Sequence, residues 1–257
     1  MEKTAKEKVK EVFGKNADKY VTSDIHAKGD DLNLLVDWLE PKENWTVLDI
    51  ATGGGHVSKA LAPHAAQIIS TDLTEAMLEN TAKHLRTEHG NIFYVVADAE
   101  SLPFLKGTFD AAVCRIAPHH FPNPEKFIAE TARVLKPGGK FVLIDNVAPE
   151  KEGLAAFMNM TEKLRDDSHG RCLQKTDWRQ LLQGNGLVEI QSVDRKKTFQ
   201  FPSWVRRTAE TDGQIEQVRE HLLSAGEEEQ AYFHIRRNEQ EIESFVIDEW
   251  MVLAEKK

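Results

Sequence analysis

Three acids stand at or just after the ends of three successive apolar runs: Asp49 in VLDI, Asp72 in QIISTD and Asp98 in FYVVADA. The first is followed closely by three consecutive glycines, Gly53, Gly54 and Gly55, and then by HVSKAL, whose spacing is helical. Glycines in such a place let a ligand press against bare backbone, or make a turn too tight for a Cβ. The first N–H groups of the helix that follows are unpaired and can meet a polar or anionic group. A carboxylate at the end of the next strand, here Asp72, can accept from both hydroxyls of a ribose and would repel a ribose phosphate. Asp98 and the backbone amide of Ala99 can accept from an adenine amine and donate to a ring nitrogen; the plainer role for Asp98 is to cap a turn. The chemistry these residues suggest is recognition of a nucleoside.

Such residues need strands to carry them. WTVLDI, AQIIST, NIFYVVA, FDAAVCR and KFVLIDNV are short Val- and Ile-rich runs, separated by segments of helical period: HVSKALAPH, TEAMLENTAKHL and PEKFIAETARVL. Continuous apolar strands alternating with helices imply a parallel sheet covered on both faces. In such a sheet ligands bind beyond the carboxyl ends of the strands, where strand order reverses. Before residue 45, Val9, Val12 and Phe13, and then Leu32, Leu35, Val36 and Leu39, mark two amphipathic helices with a polar loop expected over 16–29. After residue 150, helices are expected at GLAAFMNMTEKL and TDWRQLLQ, a strand at LVEIQSV, a mostly helical stretch from Phe201, and a closing strand at IESFVIDEWMVLAEK.

Two nucleoside cofactors suit this plan. A nicotinamide dinucleotide asks for G-x-G-x-x-G, or alanine in the last place, whereas Gly53 to Ser58 reads G-G-G-H-V-S. The segments VLDIATGGGH, STDLTEAML, ADAESLPF, FDAAVCRIAPHHFPN and LKPGGKFVLIDNVAP, in this order and spacing, resemble the sequential motifs of class I S-adenosylmethionine-dependent methyltransferases, especially the ubiquinone/menaquinone-biosynthesis-like (type 11) branch. The resemblance spans roughly residues 10–150. It implies a Rossmann-like, doubly wound, mostly parallel α/β sheet of seven strands with the last strand antiparallel, and an N-terminal helical lid. It also implies S-adenosyl-L-methionine as cofactor, with Asp49, Ala51, Gly53 and Gly55 framing the methionine moiety, Asp72 and Leu73 holding ribose, and Asp98 and Ala99 holding adenine. Arg115 would border the sulfonium end, and Tyr20, with His26 less directly, would approach from the lid. Ala51 stands where most members have glycine.

Methyl transfer from a sulfonium is an in-line displacement, so the protein has to align, exclude water and, where the acceptor carries a proton, remove it. His120 is the one candidate for that base. Packing beside the cofactor is the competing role, while His119 is expected at the surface. Trp178, Phe199, Phe201 and Trp204 are expected in the core before they are expected in a pocket. No H-E-x-x-H pair occurs, and no metal is expected.

A formal net charge of -9 gives no general attraction to a phosphate backbone. The acceptor is therefore expected to be a small molecule, with quinol-like compounds one option. Cys114 and Cys172 form no paired motif, and no apolar run of about 18 residues occurs, so a cytoplasmic chain, monomer or homodimer, with no membrane span is expected. A single methyltransferase domain is expected, divided into a lid at 1–44, a cofactor core at 45–150 and a substrate side at 151–257. The alternatives are an NAD(P)-dependent oxidoreductase and a non-catalytic nucleoside-binding module on the same fold.

Overall fold

The structure, a computed structural model, describes residues 3–21 and 30–257, the side chains of 15–21 excepted. Strands β1 (Thr46–Ile50), β2 (Gln67–Asp72), β3 (Ile92–Val96), β4 (Phe109–Arg115) and β5 (Leu135–Val147) run parallel. β6 (Leu187–Gln200) and β8 (Ile242–Lys256) complete a sheet of order β3-β2-β1-β4-β5-β8-β6, in which β8 is antiparallel to both neighbours. Strand order reverses between β1 and β4, so the crevice of the sheet opens above their carboxyl ends.

Alternation along the central strands explains why they read as unbroken apolar runs. Leu48, Ala112, Cys114, Phe141 and Leu143 face one core layer, with Phe127, Trp178 and Leu182. Val47, Ala111, Val113, Val142 and Ile144 face the other, with Leu35, Leu39 and Leu61. Helices α1 (Ala5–Val21), α2 (Asp30–Leu39), α3 (His56–Leu61), α4 (Glu75–Leu85) and α5 (Pro124–Val134) accompany this half. Burial on both faces leaves no place for a polar alternate. A third apolar cluster joins α6 (Glu152–Arg165), α8 (Phe201–Val205), α9 (Asp212–Leu223) and the first half of β8 around Met158, Trp204, Val218 and Phe245. Helices α7 (Lys175–Gly184) and α10 (Glu227–Tyr232) complete the α-helices among the described residues, beside short 3-10 turns at Ala62–His64 and Pro118–His120.

Three expectations are corrected. Residues 16–21, expected as loop, continue α1; the stretch contains neither proline nor a glycine stop. β6 runs on to Gln200 instead of ending near Val193, because its second half is an edge ribbon with a wet face, tied to β8 by charge: Arg195 meets Glu249 at 3.3 Å and Lys196 meets Asp248 at 2.5 Å. The sheet has eight strands, not seven: β8 extends past the residues that pair with β5, and the two-residue β7 (Arg236–Arg237) pairs with it there.

Candidate active site

A cavity opens above β1, β2 and β4, lined at one end by the loop from Ala51 to Gly54, by Asp72 and Leu73, and by Ala97 to Glu100. The Asp49 carboxylate, 1% exposed, turns beneath this loop. Its Oδ2 accepts from Thr52 Oγ1 at 2.6 Å, Ser58 Oγ at 2.6 Å and Ser58 N at 3.1 Å. Burial pushes the Asp49 pKa up against the pull of those bonds. Its work is to hold the loop's shape. Ser58, which stands where a dinucleotide loop needs glycine or alanine, is fully buried and spends its hydroxyl on that acid.

Ala51 and Gly53 both have left-handed backbones, φ 54° and 53°, which explains why glycine suits position 51: a Cβ there costs about 1–2 kcal/mol. A side chain added at Gly53 would meet only Met77 Cε, at 3.7 Å. Gly53 N donates to Asp72 Oδ2 at 3.1 Å and Thr74 N to Asp72 Oδ1 at 2.9 Å. Burial raises the Asp72 carboxyl to about 6 despite both bonds. Each of its oxygens keeps a lone pair for a further donor. Gly55 is not among the cavity's lining residues; at φ 78° it packs the loop onto α4, and a Cβ there would collide with Thr81 and Leu85.

Asp98 has two partners. Its Oδ1 accepts from Glu100 N at 3.0 Å, the turn-capping role, and its Oδ2 from Lys6 Nζ of α1 at 2.6 Å. Lys6 also pairs with Glu100 at 2.6 Å, so the N-terminal helix is fastened to the third strand tip through two acids. Ala99 lies beside them in the cavity wall. Arg115 is held by Asp31 of α2 through Nε to Oδ2 and Nη2 to Oδ1, the latter at 3.1 Å. Burial raises the Asp31 pKa, but the bonds and charge of Arg115 outweigh it and leave the acid below its ordinary value. Ile116, next in the chain, also has a left-handed backbone, φ 53°, a strained state for a β-branched residue at a cavity wall. The Tyr20 side chain and His26 lie outside the described residues.

The middle of the wall is a histidine cluster. His119, expected at the surface, is buried, because the Asp145 carboxylate at the end of β5 accepts from both its backbone N, at 2.9 Å, and its Nδ1, at 2.7 Å. His120 turns Nδ1 to the Ser168 carbonyl at 3.1 Å and packs edge-on to Phe13, ring centroids 5.0 Å apart. Burial and the neighbouring His119 push the His120 pKa down to about 4. The far wall is built from Asn146, Arg165, Lys197, Phe199, Trp204 and Arg207. Arg165 lies 4.4 Å over the Trp204 ring and bonds Glu162 at 2.7 Å. Phe199 and Trp204 are thus both core and wall, whereas Trp178 and Phe201 belong to the core alone.

Sequence reasoning missed Lys6, Asp31, Asp145, Arg165, Lys197 and Arg207, and placed Phe199 and Trp204 in the core before the wall. Asp145 carried a signal: an acid inside the apolar run KFVLIDNV is buried and must find a partner.

Comparison with known proteins follows the same lines. A family model described as a methyltransferase domain matches residues 48–143. The uncharacterised methyltransferase YcgJ of Bacillus subtilis is 35% identical over 229 residues, 88% of this chain and 90% of the relative. Its crystal structure superposes with a TM-score of 0.83. A crystal structure of a candidate methyltransferase from Bacillus halodurans C-125 gives a TM-score of 0.86 at 38% identity, covering 89% of this chain and 99% of that one. The ubiquinone/menaquinone biosynthesis C-methyltransferase UbiE of a Ruegeria species is 32% identical over 161 residues, 60% of this chain and 64% of the relative.

Proposed function

The chain belongs to the class I S-adenosylmethionine-dependent methyltransferases, and from that premise we propose that it methylates a small molecule within the cavity above β1, β2 and β4. When bound, S-adenosylmethionine supplies a methyl group on a positively charged sulfur, so no protein nucleophile is needed. The residues present suit it. Asp72 offers two carboxylate oxygens to ribose hydroxyls, with Leu73 beside them. Ala51, Gly53 and the neighbouring Gly54 offer bare backbone to the methionine end, under which Asp49 fixes the loop. Asp98 and Ala99 offer an acceptor and a donor to adenine, with Lys6 competing for the same Asp98 oxygen. Arg115 borders the sulfonium end while its charge is balanced by Asp31.

We read 1–44, 45–150 and 151–257 as parts of one catalytic unit, the first covering the donor and the last shaping the acceptor. A quinol-like acceptor is the narrower form of this reading. What supports it is similarity to the quinone-pathway enzyme UbiE and a wall carrying Phe13, Phe199 and Trp204.

The observation that carries the proposal is the meeting of the Asp49, Asp72 and Asp98 tips on one cavity whose opposite wall comes from a different part of the chain. Titration calorimetry with S-adenosylhomocysteine tests it. The wild-type chain should bind, and Asp72→Ala should bind about ten- to a few hundred-fold more weakly, the loss of two charge-assisted hydrogen bonds partly replaced by bonds to water. Unchanged affinity would remove Asp72 from the donor site.

A further inference from the structure

Three imidazoles, those of His119, His120 and His169, lie with ring centroids 4.3 to 6.4 Å apart. Two are engaged structurally. His169 Nε2 meets Asn159 Oδ1 at 3.1 Å, and burial, with the neighbouring imidazoles, pushes its pKa down to about 2. His120 is turned to Ser168. His119 differs. Its Nδ1 lies 2.7 Å from Asp145 Oδ1, and Asp145 is itself fixed by the backbone N–H groups of His119 and Asn146, each at 2.9 Å. A carboxylate there requires the proton on Nδ1 and leaves the lone pair on Nε2, which makes no hydrogen bond among the described residues. The adjacent Asn146, 8% exposed, has its Oδ1 buried without a partner. His119 and Asn146 both line the cavity, between the strand tips and the Trp204 wall. Two acceptors in one cavity wall, neither with a donor among the described residues, suit a ligand that brings hydrogen.

Given methyl transfer in this cavity, we propose that His119, positioned by Asp145, is the general base of the reaction, and that the acceptor carries hydrogen on the atom that is methylated. The acceptor's X–H bond breaks toward Nε2 and the freed pair forms the X–CH3 bond, while the C–S pair leaves with the sulfide. The proton rests on the imidazolium, balanced by Asp145, until water takes it. The charged and titratable groups facing the ring are Asp145 from β5, Glu162 and Asp166 at the end of α6, and the neighbouring His120 and His169. Burial lowers the His119 pKa, but Asp145, then Glu162 and Asp166, outweigh it, so the ring is the one basic imidazole of the three. A base is most effective when its pKa lies near the working pH.

The test supplies the chain with labelled S-adenosylmethionine and phenol or phenylmethanethiol as O–H and S–H probes that stay protonated at neutral pH, and with 4-nitrophenol, which ionises there unaided. His119→Asn keeps a donor toward Asp145. It should cut transfer to the first two by about 10²- to 10⁴-fold, leave S-adenosylhomocysteine affinity by calorimetry within about two-fold, and spare 4-nitrophenolate. Asp145→Asn should move the acid limb of the pH–rate profile to lower pH. Equal losses with phenol and 4-nitrophenolate would overturn the base role, and methylation of none of the three by a wild-type chain that binds S-adenosylhomocysteine would overturn the acceptor class. Absence of that binding would instead sink the methyltransferase reading itself. A check free of turnover and of variant folding is the imidazole nitrogen-15 spectrum of the wild-type S-adenosylhomocysteine complex: His119 should be the Nδ1–H tautomer and titrate above 6.5, and an Nε2–H tautomer would overturn the proposal.

Discussion

The two ends of the cavity are built by opposite means. At the end proposed for the methyl donor, the loop after β1 and the tips of β2 and β3 present backbone, two half-buried carboxylates and small residues from positions 49–100. At the end proposed for the acceptor, side chains dominate: His119 and His120 after β4, Asn146 from β5, Arg165 and Asp166 at the end of α6, Lys197 and Phe199 from β6, and Trp204 and Arg207 in and after α8. A ligand of fixed identity can be met by backbone geometry, which a short motif encodes. A ligand that differs between relatives is met by side chains from distant segments, and these leave no local pattern.

The seam between the ends should be the most sensitive place. Arg115 and Asp31 are buried as an ion pair, side chains 7% and 3% exposed. Asp31→Asn would leave a buried guanidinium without its counter-charge, a loss of about 3–5 kcal/mol for such pairs, read by urea unfolding. A loss below about 1 kcal/mol would mean that Arg115 turns into the cavity and finds company there, and the contrast between a rigid donor end and an adaptable acceptor end would blur at their boundary.

Within the donor end, rigidity itself can be probed. Gly55→Ala adds a Cβ to a left-handed residue and drives it into Thr81 and Leu85. Backbone strain of about 1–2 kcal/mol and overpacking of similar size together predict a loss of about 2–4 kcal/mol in unfolding free energy, with weaker S-adenosylhomocysteine binding because Gly53 moves with the turn. A variant as stable as the wild type would show that the loop tolerates displacement.

This division also explains what could be read in advance. The parallel sheet was legible because strands buried on both faces are apolar throughout, and the strand-tip acids were legible because each sits where an apolar run stops. The second half of β6 was not: its Lys and Arg residues are ion-paired to β8, and charge at an edge strand looks like loop. His119 was misread for a related reason. Two adjacent histidines say nothing about burial until Asp145, on the neighbouring strand, is placed beside one of them. Asp31 and Lys6 act from helices whose own pattern shows only an apolar face, so the partners at Arg115 and Asp98 come from tertiary packing alone.

The smallest effect separates recognition from stability at one atom group. Asp72 has a pKa of about 6 in the folded chain against an ordinary 3.8, with burial the largest cause. A carboxyl raised on folding contributes stability that is complete below the unfolded value and declines as pH rises through the folded one. Between about pH 4 and 6.5 the unfolded chain gives up this proton more readily than the folded chain, so ionised Asp72 is a burden on the donor-free protein at neutral pH. Asp72→Asn cannot ionise. Its stability relative to wild type should therefore shift in the variant's favour by about 1 kcal/mol between pH 4 and pH 7.5, a figure held below the full linkage because the half-buried carboxylate is partly screened by solvent. Thermal unfolding across that range measures it, and a flat difference would mean that the strand tip is not desolvated. In saturating S-adenosylhomocysteine the order should reverse, since only the carboxylate can accept from both ribose hydroxyls and binding to the native state raises its stability. The donor end would then be a place where the chain holds an unfavourable charge in readiness for its ligand, whereas at the acceptor end Asp145 spends its charge on a neighbouring ring.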